Sequence, residues 1–248
     1  MNATQPIKNS LLALVFGTAV LVLQGCAIGP NVNPADPIEP LNRAVFGFND
    51  GVDRAILKPV AMAYDQVIPS PVKIGVGNFF GNITDVWSVV NNLLQFKIEA
   101  SLETFMRVAV NSTFGVAGLV DIGTELGLPN HPQDFGQTLG VWGFNAGPYV
   151  VLPLFGPSTV RDTVGTVVGG NADLVNNLNN VPTRNLLTAS RVVSGRAWLL
   201  DASKFVDEAA LDKYSFTRDL YLQRRAASIG KEAVVKEERF DLPAPKLK

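Results

Sequence analysis

Apolar and polar residues alternate along this chain mainly with a helical period. Leu41, Val45, Phe48, Val52 and Ile56 follow three- and four-residue steps, with Asn42, Arg43, Asn49, Asp50 and Asp53 on other faces. Pro59 is expected to end or kink that helix, and Val60 to Val67 to form a short second one. Pro69-Ser70-Pro71 supplies a stop and a new start, with Ser70 as N-cap and Pro71 at the first helical position. Val72 to Phe80 and Ile83 to Leu94 read as two helices separated by Gly81-Asn82, with Val86, Trp87, Val90, Leu93 and Leu94 in one stripe. Phe96 to Val110 is the cleanest: Ile98, Leu102, Phe105, Met106 and Ala109 lie on one side, Glu99, Glu103 and Arg107 on the other. The segment NSTFGVAGLVDIG, small and apolar, reads as a close-packed turn.

Further on, Val160, Val164 and Val167 predict a helix stopped at Gly169-Gly170, and Asn171 to Pro182 a loop. Thr183 is expected to cap a helix through about Leu200, and Asp212 to Ala227 forms the last, carrying Tyr214, Arg218, Tyr221, Gln223 and Arg225. There is no internal repeat and no run of alternating strands. The pattern predicts an all-α body of one domain. A helical stripe facing protein and one facing acyl chains look the same in sequence, so the period leaves open which faces are buried.

One stretch breaks the period. From Asp134 to Asp162, Gly136, Gly140, Gly143, Gly147 and Gly156 free the backbone, while Pro148, Pro153 and Pro157 fix φ and remove amide donors. Neither an ordinary helix nor a central strand is expected there. The residues between are nonetheless as apolar as a core, which predicts a hairpin loop that is buried, binds something apolar, or touches lipid.

Composition changes the picture at the ends. Met1 to Cys26 has a weakly basic start at Lys8, an apolar run from Leu11 to Leu23 too short to span a bilayer, and Leu23-Gln24-Gly25-Cys26, which resembles a bacterial lipobox. Residues 1–25 therefore read as a cleaved signal peptide and Cys26 as the lipid-attachment residue; the alternative is a soluble periplasmic protein cut near Gly25. Ala27, in place of Asp, implies sorting to the outer membrane. Cys26 is the only cysteine, so no disulfide framework exists, and two or three acyl chains at about 0.8 kcal/mol per buried methylene make the attachment permanent. Residues 26–40, with Pro30, Pro34, Pro37 and Pro40, read as an extended tether, 41–228 as the helical domain, and 229–248 as a disordered tail.

Formal charge is −1, and loss of residues 1–25 removes one lysine and no acid, which leaves the chain without the basic excess that nucleic acid requires. Apolar residues make up 47% and the mean hydropathy is positive, high for a secreted domain that meets only water.

Candidate chemistry is sparse. His131 is the only histidine, stands between Pro129 and Pro132, and has no evident partner for general base work. With the one cysteine acylated, a metal site is not expected. Ser158 lacks the following glycine of a nucleophile elbow, having Val160 there, and is expected to cap a helix. No phosphate-binding GxxxxGK[ST] run occurs, so ATP does not drive the protein directly. Arg161-Asp162 and Arg218-Asp219 are charges in apolar surroundings: either a structural ion pair fastening the central stretch to the last helix, or the lining of a polar channel. These features argue against an enzyme.

Three segments carry a family resemblance. DFGQTLGVWG followed by GPYVVLPLFGPSTVRD, with DPIEPLNRAVFGFND and DKYSFTRDLYLQRR, is similar to the signatures of the MlaA/VacJ family, over roughly Asp36 to Ala227. Asn130 to Gln133 departs from the family pattern, which has an acidic residue before DFGQT. The resemblance implies a ring-like or disc-like helical domain seated in the inner leaflet of the outer membrane, with N-acyl and S-diacylglycerol lipid on Cys26 and no other cofactor. It implies phospholipid as the transported partner, a trimeric outer-membrane porin, a periplasmic phospholipid carrier and, indirectly, an inner-membrane ABC transporter. The function implied is removal of mislocalised phospholipid from the outer leaflet through a polar channel, which maintains lipid asymmetry.

Channel or gate candidates in the first motif are Asn42, Arg43, Phe46 and Asn49. In the central stretch they are Asp134, Gln137, Trp142, Gly143, Gly147 and Pro148, then Tyr149, Pro153, Gly156, Arg161 and Asp162; the last helix adds Arg218. Gly143 to Pro157 is expected to move as a gate. The alternative is a structural porin-associated lipoprotein without transport, which would have no need of the Gly/Pro-rich apolar stretch.

Overall fold

The computed structural model describes residues 33–230. The signal segment, Cys26, the first part of the tether and the tail from Lys231 lie outside the described residues. The end of the tether is folded where an extended spacer was expected. Asp36 N–H donates to Asn33 O at 2.9 Å, and helix α1 (Glu39–Val52) takes Pro40 into its first turn.

A π turn, Asp53–Leu57, joins α1 to α2 (Lys58–Val67). Pro59 does not end the rod. It falls in the first turn of α2, just past the π turn, where a missing N–H is tolerated. Helix α3 (Ser70–Leu94) is one helix of 25 residues, unbroken at Gly81-Asn82. An interior glycine costs only about 1 kcal/mol, which packing along α4 (Ile98–Thr113) offsets. Ser70 is the first helical residue of α3 and caps nothing. Phe96 belongs to the turn before α4, with φ 58°.

After a tight turn and the short α5 (Ile122–Glu125), the central stretch contains the helix and strands not expected of it: α6 (Phe135–Val141), then β1 (Tyr149–Leu152) antiparallel to β2 (Gly156–Thr159). Tyr149 pairs with Thr159, Val150 with Ser158, Val151 with Pro157 and Leu152 with Gly156. In a two-stranded sheet every strand has an unpaired edge, so Pro157 needs no second ladder partner. Helix α7 (Val160–Ala172) is capped by Thr159, not Ser158, and runs through Gly169-Gly170. Asn180, not Thr183, caps α8 (Val181–Trp198). Helices α9 (Leu200–Ala209) and α10 (Lys213–Ser228) follow, the latter capped by Asp212.

Gly136 and Gly140 of the central stretch, and Gly165 just beyond it, serve close approach. A Cβ on Gly165 of α7 would lie 2.4 Å from the Gly136 nitrogen of α6, so the two backbones touch. The fold is thus helical with one small hairpin, as expected of an all-α domain.

Its polarity is inverted. On α4, Ser101, Thr104, Arg107 and Asn111 are buried, while Ile98, Leu102, Phe105 and Met106 are each about half exposed. On α3, Asn82, Asp85, Ser88, Asn91 and Asn92 are buried, and Val86, Val90 and Leu93 face outward. These two helices pack polar face to polar face. The apolar core is small: Tyr149, Val151 and Tyr214, flanked by Val45, Phe46, Tyr221 and Leu222. Among the described residues no helix is long and apolar enough to cross a membrane.

Candidate functional site: a clamped hairpin beside a polar interior

The hairpin is held along its whole length by α1. Asn42 donates from Nδ2 to Tyr149 O and accepts from Val151 N–H, both at 2.9 Å. Asn49, two turns later, donates to Leu152 O at 2.9 Å and accepts from Leu154 N–H at 2.8 Å. Tyr149 N–H donates to Ala35 O at 2.9 Å, which ties the end of the tether to the same strand. The base is closed where Val160 N–H meets Pro148 O at 3.2 Å and Arg161 N–H meets Ala146 O at 3.1 Å. Beneath the strands Tyr149 is fully buried and meets Tyr214 and Tyr221, and Phe46 packs edge-on to Tyr214 at 5.6 Å. Burial pushes all three phenols up, away from ionisation.

The other end is an apolar tip, with Pro153, Leu154 and Phe155 exposed. Leu154 and Gly156 have positive φ, as do Gly143 and Gly147 on the approach. Gly143 and Gly156 face open space, whereas a Cβ at Gly147 would press on Val160 at 3.2 Å. Trp142 closes α6 and donates from Nε1 to Leu94 O at 2.9 Å, its ring edge-on to Phe135.

Two buried acids fasten this region to α10. Asp162 accepts from Arg161, from Tyr221 Oη at 2.9 Å and from Arg225 at 2.7 and 3.0 Å. Burial alone would raise its carboxyl, but the Arg225, Tyr221 and Arg161 bonds hold it below the usual aspartate range. Arg225 also pairs with Asp134, which with Gln137 forms the capping box of α6. Asp36 is the second acid: Asn42, the Tyr214 hydroxyl and Arg218 all donate to it. Arg43 pairs with Glu39 and Asp212 and stacks over Tyr214 at 4.3 Å.

The candidates from the first motif, the central stretch and α10 therefore do assemble. Arg161 and Arg218 are both in ion pairs, Arg161 with its neighbour Asp162, while Arg218 bonds Asp36 and Asp219. The link from the central stretch to α10 runs through Tyr221 and Arg225, placed on the last helix by the pattern but absent from the channel and gate candidates. Their signal was present in the steps of four, three and four from Tyr214 through Arg218 and Tyr221 to Arg225, which place all four on one helical face. His131, expected to lack a partner, bonds Glu103 at 2.6 Å.

The polar interior between α3, α4 and α6 is the second part of the site. Arg107 donates from Nη2 to both carboxylate oxygens of Asp121, at 2.9 and 3.0 Å, and from Nη1 to Leu128 O. Asp85, nearby, is raised by burial, which the positive Arg107 only partly opposes. Asn82 Oδ1, Asn92 Oδ1, Gln95 Oε1 and Arg107 Nε are buried with no partner among the described residues. Unmatched groups of this kind favour water or a polar ligand portion. Among the described residues no cluster of His, Cys, Asp and Glu is placed to hold a metal ion.

Comparison with known proteins places this architecture. The family model described as MlaA lipoprotein matches residues 34–228. An Escherichia coli K12 protein, the intermembrane phospholipid transport system lipoprotein MlaA, is 34% identical over 227 residues, 88% of each chain. An uncharacterised protein of Rickettsia felis is 33% identical over 213 residues, 85% of this chain and 82% of that one. A chain from a solved structure described as "Structural basis for maintenance of bacterial outer membrane lipid asymmetry" superposes with a TM-score of 0.69 at 32% identity, covering 78% of this chain and 98% of that one. By sequence and by fold, the chain belongs to the MlaA lipoprotein family.

Proposed function

We propose that this protein works in intermembrane phospholipid transport at the outer membrane, removing mislocalised phospholipid from the outer leaflet and so maintaining lipid asymmetry. The observation that carries the reading is the inverted polarity. Half-exposed Leu102, Phe105, Val90 and Leu93 suit a hydrocarbon surround, whereas Ser88, Asn92, Thr104 and Arg107 make an interior that keeps a headgroup solvated. A charged headgroup dragged through hydrocarbon costs many kcal/mol, and a polar passage removes most of that barrier. Such a body, apolar outside and polar within, sits in one leaflet, anchored through acylated Cys26 on the periplasmic side.

The hairpin from Gly143 to Pro157 gates the passage, its apolar tip moving at the lipid boundary. A trimeric porin seats the protein in the membrane, and a periplasmic carrier serving an inner-membrane ABC transporter takes the lipid onward. Direction comes from these partners.

The test is lipid extraction and mass spectrometry of protein purified in a maltoside detergent, together with outer-leaflet phospholipid in cells lacking it. Co-purified phospholipid and porin, with asymmetry lost in the deletion and in Cys26→Ser, are expected. Porin without phospholipid, and asymmetry intact in the deletion, would instead establish a structural scaffold.

A further inference from the structure

Gly169, near the end of α7, is a glycine that neither backbone nor packing requires. Its φ is not positive, and a Cβ there would meet Trp87 Nε1 at 3.4 Å, an ordinary contact. At Gly136 and Gly165 a Cβ would run into buried charge or backbone; here it would not. An interior glycine weakens a helix relative to alanine, so what this one keeps is space. The space is a cavity of about 100 Å³ between α3 and the end of α7, with Ile83, Trp87, Val90, Gly169, Ala172 and Leu174 among its walls.

Those walls make little polar demand. Thr84 and Asp173 also border the cavity, but Thr84 Oγ1 donates to Phe80 O at 2.9 Å, and Asp173 accepts from Val175 N–H, Asn176 N–H and Arg191 Nη1. Trp87 Nε1 is buried and has no surface open to the cavity. Hydrocarbon therefore enters without stranding a donor or acceptor, whereas a water molecule would find too few partners. An apolar cavity of about 150 Å³ holds a benzene ring. This one, being smaller, suits a few methylenes in a row and excludes a headgroup.

The mouth decides between a lipid chain and a protein side chain. Val86 and Val90 of α3 and Leu174 beyond α7 are exposed at its border, and Val86, Val90 and Leu93, four and three residues apart, continue outward as one apolar row. A pocket for a protein anchor ends in a polar rim. This one opens onto the kind of surface that hydrocarbon covers.

We infer that the cleft holds part of one acyl chain of a phospholipid, packed against the Trp87 ring and across Gly169, with the headgroup and the second chain outside. The inference rests on the transport reading and adds a grip on the cargo through its hydrocarbon, apart from the hairpin. Such a site reads the chain and is indifferent to the headgroup.

The test uses full-length acylated protein in vesicles of phosphatidylethanolamine and phosphatidylglycerol, with a small fraction of a phosphatidylcholine that carries a diazirine midway along one acyl chain. On irradiation the diazirine loses dinitrogen, the carbene left inserts into whatever it touches, and peptide mass spectrometry locates the adduct. Adducts are expected on Ile83, Trp87 or Ala172 inside the cleft, and on exposed Leu102 and Phe105 of α4, which serve as the reference for any lipid contact. Gly169→Leu places an isobutyl group in the cavity. Adducts inside the cleft should then fall about tenfold or more relative to those on α4, the loss expected when two buried methylenes are excluded. Helical circular dichroism confirms that the variant folds; where it does not, Ala172→Leu fills the same space from the last residue of α7.

Wild-type protein labelled on α4 and not inside the cleft overturns the site and favours a partner's side chain as its occupant. Cleft adducts undiminished in a folded, filled variant come from the outer surface and overturn it as well. Neither result touches co-purified phospholipid or the loss of asymmetry in the deletion, so failure here is told apart from failure of the transport reading.

Discussion

Asn42 and Asn49, seven residues apart on α1, act together as a substitute strand: each carboxamide spans one acceptor and one donor of the hairpin backbone, the first at Tyr149 and Val151, the second at Leu152 and Leu154. A helix ordinarily cannot extend a sheet. Two amides spaced by two turns can, because that spacing returns them to the same face. Asn42→Ala strands Tyr149 O, Val151 N–H and Asp36 in a fully buried place and should cost about 2–4 kcal/mol. Asn49→Ala, at a partly exposed site, should cost about 1 kcal/mol and speed amide exchange at Leu154 more than at Val151. Denaturation in detergent and hydrogen exchange measure both.

Arg225 should matter more to folding than either arginine singled out from the sequence. Arg225→Gln leaves Asp162 buried with weaker compensation, a loss of about 3 kcal/mol or more. Charge reversal at Arg218 should also destabilise, through Asp36. If either variant keeps a wild-type melting temperature while lipid asymmetry fails, the arginines serve a hydrated passage and not the fold.

Two buried aspartates should give opposite pH responses. Asp162 is held below the usual aspartate value, so its contribution is present above about pH 4 and lost as pH falls through the lower folded-state value. Asp85 is raised, so its penalty is absent at low pH and grows as pH rises from about 4 through the higher folded-state value. Asp85→Asn is therefore expected to stabilise the protein at neutral pH, and Asp162→Asn to destabilise it. Melts from pH 3 to 8 decide between this and a shared sign.

Much of this was legible in the chain, and the remainder has physical causes. Helical period identified the α4 face of Ile98, Leu102, Phe105 and Met106 correctly, but period reports two faces and not which one meets water. The interior therefore had to be seen. Gly81 suggests a break because local propensity carries no trace of the long partner helix that overrides it. The central stretch conceals α6 because Gly136 and Gly140 have the local propensity of helix breakers, although they are the positions where Asp162, Arg161 and Arg225 approach the backbone. Asp36 went unmarked since its donors lie as far away as Arg218, 182 positions along the chain.

The contact between α6 and α7 predicts a sharp response to one methyl group. Gly165→Ala would place Cβ 2.7 Å from the Gly136 Cα and closer still to its nitrogen. Backbone cannot yield as a side chain can, so loss of about 3 kcal/mol or failure to accumulate is expected. Gly81→Ala, with open space around it, should leave stability equal or slightly higher and serves as the control.

Gating can be tested by locking the clamp. Gly147 is a poor place for a cysteine, given its φ of 70° and the pressure on Val160. Asn49→Cys with Leu154→Cys instead joins the hairpin tip to α1, and the remaining cysteine, Cys26, is the lipid-attachment candidate. Oxidation should stop phospholipid removal and reduction restore it. Equal asymmetry in both states would mean that the tip does not move.

The π turn at Asp53–Leu57 gives the rod of α1 and α2 one residue more than a continuous α-helix would need. That surplus residue is absorbed by widening one turn, so α2 keeps the facing it would have in a continuous α-helix one residue shorter. Upstream, Asn42 and Asn49 are in register with the hairpin; the π turn itself presents Asp53 to Arg196 of α8 at 2.7 and 2.9 Å. The rod therefore works like a screw with one coarse thread, and a single-codon deletion there would restore the even winding while disturbing the place from which Asp53 reaches Arg196, 143 positions along the chain.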